Sequence, residues 1–153
     1  MPDVAIALVV HVLAVLWWIG GLAFVTAVFL PSVRANEQGD ALVAFHDIEN
    51  RFEPQARIAV VLVGLSGLYM LWRLNLWSWF AQPRFWWLDL MVLYWLLFML
   101  LLFVLGPTGL LKRVMRHGGE QARIWRRMHN VHRVLLAVAL VIVAGAVTGS
   151  HGF

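Results

Sequence analysis

HVLAVLWWIGGLAF, residues His11–Phe24, is thirteen apolar residues or glycines behind one imidazole. Followed outward, the apolar run reaches from Val4 to Leu30. A helix needs about 20 such residues to cross a bilayer core, so this stretch reads as a membrane span. Three more follow, with cores at Ile58 to Trp72, Trp86 to Leu105 and Val134 to Gly149. Flanking residues lengthen the second and fourth to 55–73 and 130–150. Pro31 and Pro107 stand just past helix ends, where proline stops a helix. The fold class expected is therefore all-α: one integral membrane domain over residues 1–153, a four-helix bundle with spans at about 4–30, 55–73, 86–105 and 130–150.

Composition agrees. Of 153 residues, 62% are hydrophobic, above the roughly one-half usual for soluble domains. There is no cysteine, which excludes disulfides, thiolate metal sites and Cys-attached haem. The net charge of +4 comes from arginine outside the apolar runs. That is a membrane pattern and points to the lipid bilayer, not nucleic acid, as partner. The start "MPD" has no basic segment before the apolar run, so the first span reads as a retained helix rather than a cleaved signal.

Ten of the twelve basic residues fall in the segments 31–57 and 106–133, and the opposite side has only Arg73 and Arg84. The positive-inside rule puts both long segments in the cytoplasm and both termini outside. The setting expected is a membrane crossed several times. Trp72, Trp77, Trp79, Trp86 and Trp87 crowd the short outer loop and suit an interfacial belt. In the first cytoplasmic loop Val43, Phe45, Ile48 and Phe52 recur near helical spacing, which predicts an interfacial helix there.

His11 lies about 10 Å below the start of its helix at 1.5 Å per residue. A polar side chain at that depth faces the bundle interior and needs a partner. Ala14, Val15, Trp18 and Leu22 share its face, and Gly20-Gly21 flank it. Two readings follow. His11 is bonded to a neighbouring polar group and nothing else, or it is an axial ligand of a metal such as iron or copper, or a proton carrier. At similar depth stand Met70, a candidate second axial ligand, and Asp89, a carboxylate early in the third span. Asp89 is placed to accept from His11 or to pair with Arg73 or Arg84. His151, just beyond the last span, is the other candidate axial ligand, and Trp18 the candidate aromatic wall of a cofactor.

The cytoplasmic side has a second constellation. His129 and His132 are three apart, as are His46 and Glu49, so each pair shares a helix face. Together the four suit a divalent metal. The sequence lacks Met-x-x-Met, a His-rich loop and cysteine, so soft Cu(I) ligands are few. In the last span Gly145 and Gly149 form a small-xxx-small face, for packing within the bundle or across a homodimer.

His11, Trp18, Gly20-Gly21 and Leu22, with GLSGLYM (Gly64–Met70) and the basic segment before the last span, resemble the CopD/HemJ superfamily of small bacterial membrane proteins. The resemblance implies haem b held by His11 and a redox role, as porphyrinogen oxidation of the HemJ type or as electron transfer with an unidentified redox partner. Its CopD side implies the alternative, binding or transport of copper or another divalent metal without haem.

Overall fold

The computed structural model describes residues 2–35, 40–108 and 121–150. All regular structure among them is helical. Helix α1 (Pro2–Phe24) runs through a π-helical turn, Val25–Phe29, into α2 (Leu30–Ala35). Helix α3 spans Asp40–Arg73. Two 3-10 turns, Leu76–Trp79 and Pro83–Phe85, lead into α4 (Trp86–Met99), which ends in a second π-helical segment, Leu100–Leu105. Helix α5 is Gln121–Ser150. Among the described residues four stretches are long and apolar enough to cross a membrane: Pro2–Ser32, Asn50–Arg73, Pro83–Leu105 and Arg126–Gly149.

Val43 to Phe52 are helical as the first turns of α3 and not as a separate element. Residues 40–73 make one rod of about 51 Å, with Pro54 inside it. The carboxylate of Glu53 accepts from the Arg57 guanidinium one turn on, at 2.5 Å, and the same guanidinium lies over the Phe103 ring.

The core is a short apolar column at mid-bundle. Ala14, Trp18 and Leu22 of α1 meet Ala59, Val60 and Val63 of α3, Tyr94 and Phe98 of α4, and Ala139 and Ile142 of α5. The opposite faces of the same helices carry Leu13, Leu16, Trp17, Leu65, Leu93 and Val141 exposed. Apolar residues outside as well as inside are what a bilayer solvent demands, since lipid exerts no pressure to hide them.

Glycines set the approach distances. A side chain at Gly64 would enter the Trp95 ring, and one at Gly21 the Phe52 ring. Gly20 faces open space, so only the second glycine of the pair is used in packing. Gly145 and Gly149 are filled from within the chain. The rings of Trp86 and Trp87 occupy the room above them. The small-xxx-small face thus serves the α4–α5 contact.

Serine and threonine hydroxyls in the spans return to their own helix. Thr26, Ser32, Ser66 and Thr148 each donate to the carbonyl four residues back, at 2.5–2.9 Å. In hydrocarbon such groups have no water to turn to. Thr26, buried, does so at the first π-helical turn, where Leu30 N–H reaches back to Val25 O.

Candidate functional site: the α1–α3 histidine

His11 sits against α3. Its Nδ1 is 3.1 Å from the Val63 carbonyl and 3.0 Å from Ser66 Oγ. A carbonyl only accepts, so Nδ1 carries the proton and donates. Ser66 spends its own hydroxyl proton on Leu62 O at 2.5 Å, leaving an oxygen lone pair for the imidazole. Gly67 completes the seat: a Cβ there would lie 3.2 Å from His11 Cε1. With Nδ1–H engaged twice, the lone pair of neutral imidazole is on Nε2.

The sequence explains the seat once the two helices are aligned. In GLSGLYM (Gly64–Met70), Ser66 and Gly67 lie one turn beyond Val63, on the face of α3 that meets α1. Met70 is the next position on that stripe, half-buried. At the N-terminal end, Asp3 takes Arg73 Nη2 at 2.7 Å, Arg73 Nε at 2.8 Å and Tyr69 Oη at 2.9 Å. This cluster locks the start of α1 to the end of α3 and so fixes the register that brings His11 to Val63 and Ser66.

The other candidate residues go elsewhere. Asp89 is not brought to His11, Arg73 or Arg84. It lies in the first turn of α4, and its Oδ1 accepts the N–H of Ala81 at 3.2 Å. Ala81 has φ 59° in the loop ahead of that helix, and a carboxylate at a helix N-terminus is favoured by the dipole. Arg73 is held by Asp3, and Arg84 lies over the Phe85 ring. Trp18 is 4% exposed, packed against Tyr94 and Phe98 at ring-centroid distances of 5.5 and 4.8 Å. Its Nε1 is buried without an acceptor among the described residues.

His151 lies outside the described residues. His46 and Glu49 fall on the early turns of α3, with side chains outside the described part. His129 and His132 are half-buried on α5, and His132 Nδ1 donates to Met128 O at 2.9 Å. Among the described residues no three His, Asp or Glu side chains gather as a metal site.

Two bonds escaped the sequence reading. Trp95 Nε1 donates to Val60 O at 2.9 Å and Tyr94 Oη to Leu135 O at 3.0 Å. With the His11 bond, they tie α1 and α4 to α3, and α4 to α5, by side chain to backbone carbonyl. Ser66 was within reach of sequence reasoning, as the one hydroxyl in an otherwise apolar stretch between two glycines. A carbonyl acceptor carries no residue-type signal.

The fold and site together define an all-helical bundle with four helices of membrane-crossing length and a histidine seated between two of them. No protein-family model, characterised protein or solved structure matches the chain.

Proposed function

We propose that the chain is a haem b-binding, multi-pass protein of the bacterial inner membrane with a redox role, and that Nε2 of His11 is an axial ligand. The observation that carries the reading is the Nδ1–H bond to the Val63 carbonyl and Ser66 Oγ. Ligating histidines are held in this way: the second ring nitrogen donates to a carbonyl or similar group, which fixes the tautomer and strengthens the donor. An imidazole and apolar surroundings are the donor set haem iron takes in helical bundles. Bound haem would supply one-electron chemistry, for electron transfer or porphyrinogen oxidation. The chain's own part is to orient the ring through Ser66 and to keep water away with α1 and α3. Met70 is the second-ligand candidate on the same stripe of α3. Trp18 is the candidate aromatic wall, and its place in the core is the competing role.

The test is the absorption spectrum of the protein purified in mild detergent and supplied with haemin. A Soret band is expected in the wild type and in His129→Ala and His132→Ala, and it is lost in His11→Ala. Ser66→Ala keeps the ligand but loosens its seat, and a loss of about 10–100-fold in haem affinity is expected from removing such a support. A wild-type protein without a Soret band, or a His11→Ala variant with the wild-type spectrum, overturns the reading and leaves His11 as a helix tie.

A divalent-metal reading without haem has one observation in its favour. His132 Nδ1 is also held by a carbonyl, which leaves Nε2 available beside His129 on the same face. Bound copper or another divalent metal in the absence of a Soret band, lost on His132→Ala, would select it, with His46 and Glu49 as the remaining candidates.

Both termini are assigned to the outside, from the ten basic residues in the two long loops. Reporter fusions at Phe153 and near Gly119 are expected to give opposite signals. Identical signals overturn the orientation.

A further inference from the structure

The arginine-rich end of α5 carries an ordered stripe. Arg123, Arg127, Asn130, Val131, Val134 and Val138 fall within about 100° of one another on the helix, and every one is exposed. Polarity changes in one direction along it. Two guanidiniums come first, then an amide about 4.5 Å further on, then a valine track continuing for about 12 Å. Asn130, Val131, Val134 and Leu135 line a shallow groove of about 270 Å³. Val131 and Val134 are 56% and 62% exposed. Arg126 and Arg133 are exposed too, but lie to one side of the stripe. Among the described residues none of these four arginines has an acidic partner.

We propose that this stripe is a binding site for one anionic phospholipid, with the phosphate on Arg123 and Arg127, the glycerol esters at Asn130 and an acyl chain along Val131, Val134 and Val138. Arg126–Gly149 is of membrane-crossing length, so a bilayer crossed by this helix would meet the change from charge to valine near the end where its headgroups lie. Charge complementarity selects the lipid: two guanidiniums without an acidic partner among the described residues favour a phosphodiester without a compensating ammonium. Asn130 supplies both a donor and an acceptor at the depth where ester carbonyls lie. This site is independent of the haem reading and at the other end of the bundle from His11.

The experiment uses the full chain in lipid nanodiscs of phosphatidylcholine with a small fraction of phosphatidylglycerol, followed by native mass spectrometry of retained lipid. Retention of one phosphatidylglycerol is expected, with phosphatidylcholine lost. Arg123→Gln with Arg127→Gln should weaken retention by about 30-fold, each arginine near an anionic surface giving roughly a factor of five. Val134→Trp, which fills the groove without touching charge, should also displace the lipid. Arg126→Gln with Arg133→Gln is the control and should leave retention unchanged. If that control pair costs as much as Arg123 and Arg127, the attraction is diffuse and the site is overturned. Equal retention of both lipids overturns it as well. So does displacement of phosphatidylglycerol by inorganic phosphate alone with Val134→Trp silent, since the groove then plays no part.

Discussion

Gly64→Leu is expected to destabilise the bundle by about 3 kcal/mol, the sum of roughly 1–3 for overpacking and about 1 for a lost hydrogen bond. A side chain at Gly64 would occupy the space of the Trp95 indole. That ring cannot move aside freely, because its Nε1 donates to Val60 O, one turn before Gly64 on α3. Overlap and bond are therefore coupled: relieving one breaks the other and leaves an indole N–H without a partner in an apolar setting. Gly20→Ala is the companion variant. Gly20 faces nothing within 4 Å, and alanine in place of glycine favours a helix by about 1 kcal/mol. Thermal unfolding in detergent, followed by circular dichroism, is expected to show a large drop for the first and none for the second. Equal stability of the two variants would mean that Trp95 does not rest on Gly64.

Trp18→Ala is expected to cost about 3–5 kcal/mol, the range for removing a large buried aromatic. Trp18 meets all three other spans through the core and holds Tyr94 and Phe98 in ring contact. Its neighbour Trp17 is 52% exposed on the opposite side, so Trp17→Ala should stay within about 0.5 kcal/mol. Trp18→Phe separates volume from polarity. It leaves a smaller void and also removes the buried N–H that lacks an acceptor among the described residues, so it should cost much less than alanine. The same three variants discriminate roles for Trp18. A Trp18→Ala protein that keeps its unfolding midpoint but loses haem would restore the tryptophan as a cofactor wall. Loss of the midpoint makes it a core residue.

The four spans were legible because partitioning into lipid is a property of single residues summed along a local window. No knowledge of neighbours is needed to see that Val4–Leu30 or Trp86–Leu105 belongs in hydrocarbon. The tryptophan-dense loop was visible for the same reason, and the stop at Pro107 from proline's missing N–H, but at Pro31, where a stop was also expected, the helix runs on to Ala35. The anomaly of His11 was visible too, since one imidazole in an apolar run stands out before any partner is known. The length of α3 was less legible: the polar stretch from Asp40 read as a separate surface helix, and nothing local said that it would continue through Pro54 into the span.

Partnership was decided only by the tertiary structure. His11 could have met Asp89. It meets Val63 O and Ser66 because the Asp3–Arg73–Tyr69 cluster and Gly67 set how α1 and α3 slide and rotate on each other. Asp89 turned to Ala81 because the loop before α4 adopts a left-handed backbone there. Gly145 and Gly149 looked equally suited to a partner copy or to the bundle, until Trp86 and Trp87 came to lie over them. The physical reason is common to these cases. Hydropathy is a one-residue quantity, whereas a hydrogen bond or a ring over a glycine needs two helices in one register and one rotation, and close packing, not polarity, chooses these in a membrane.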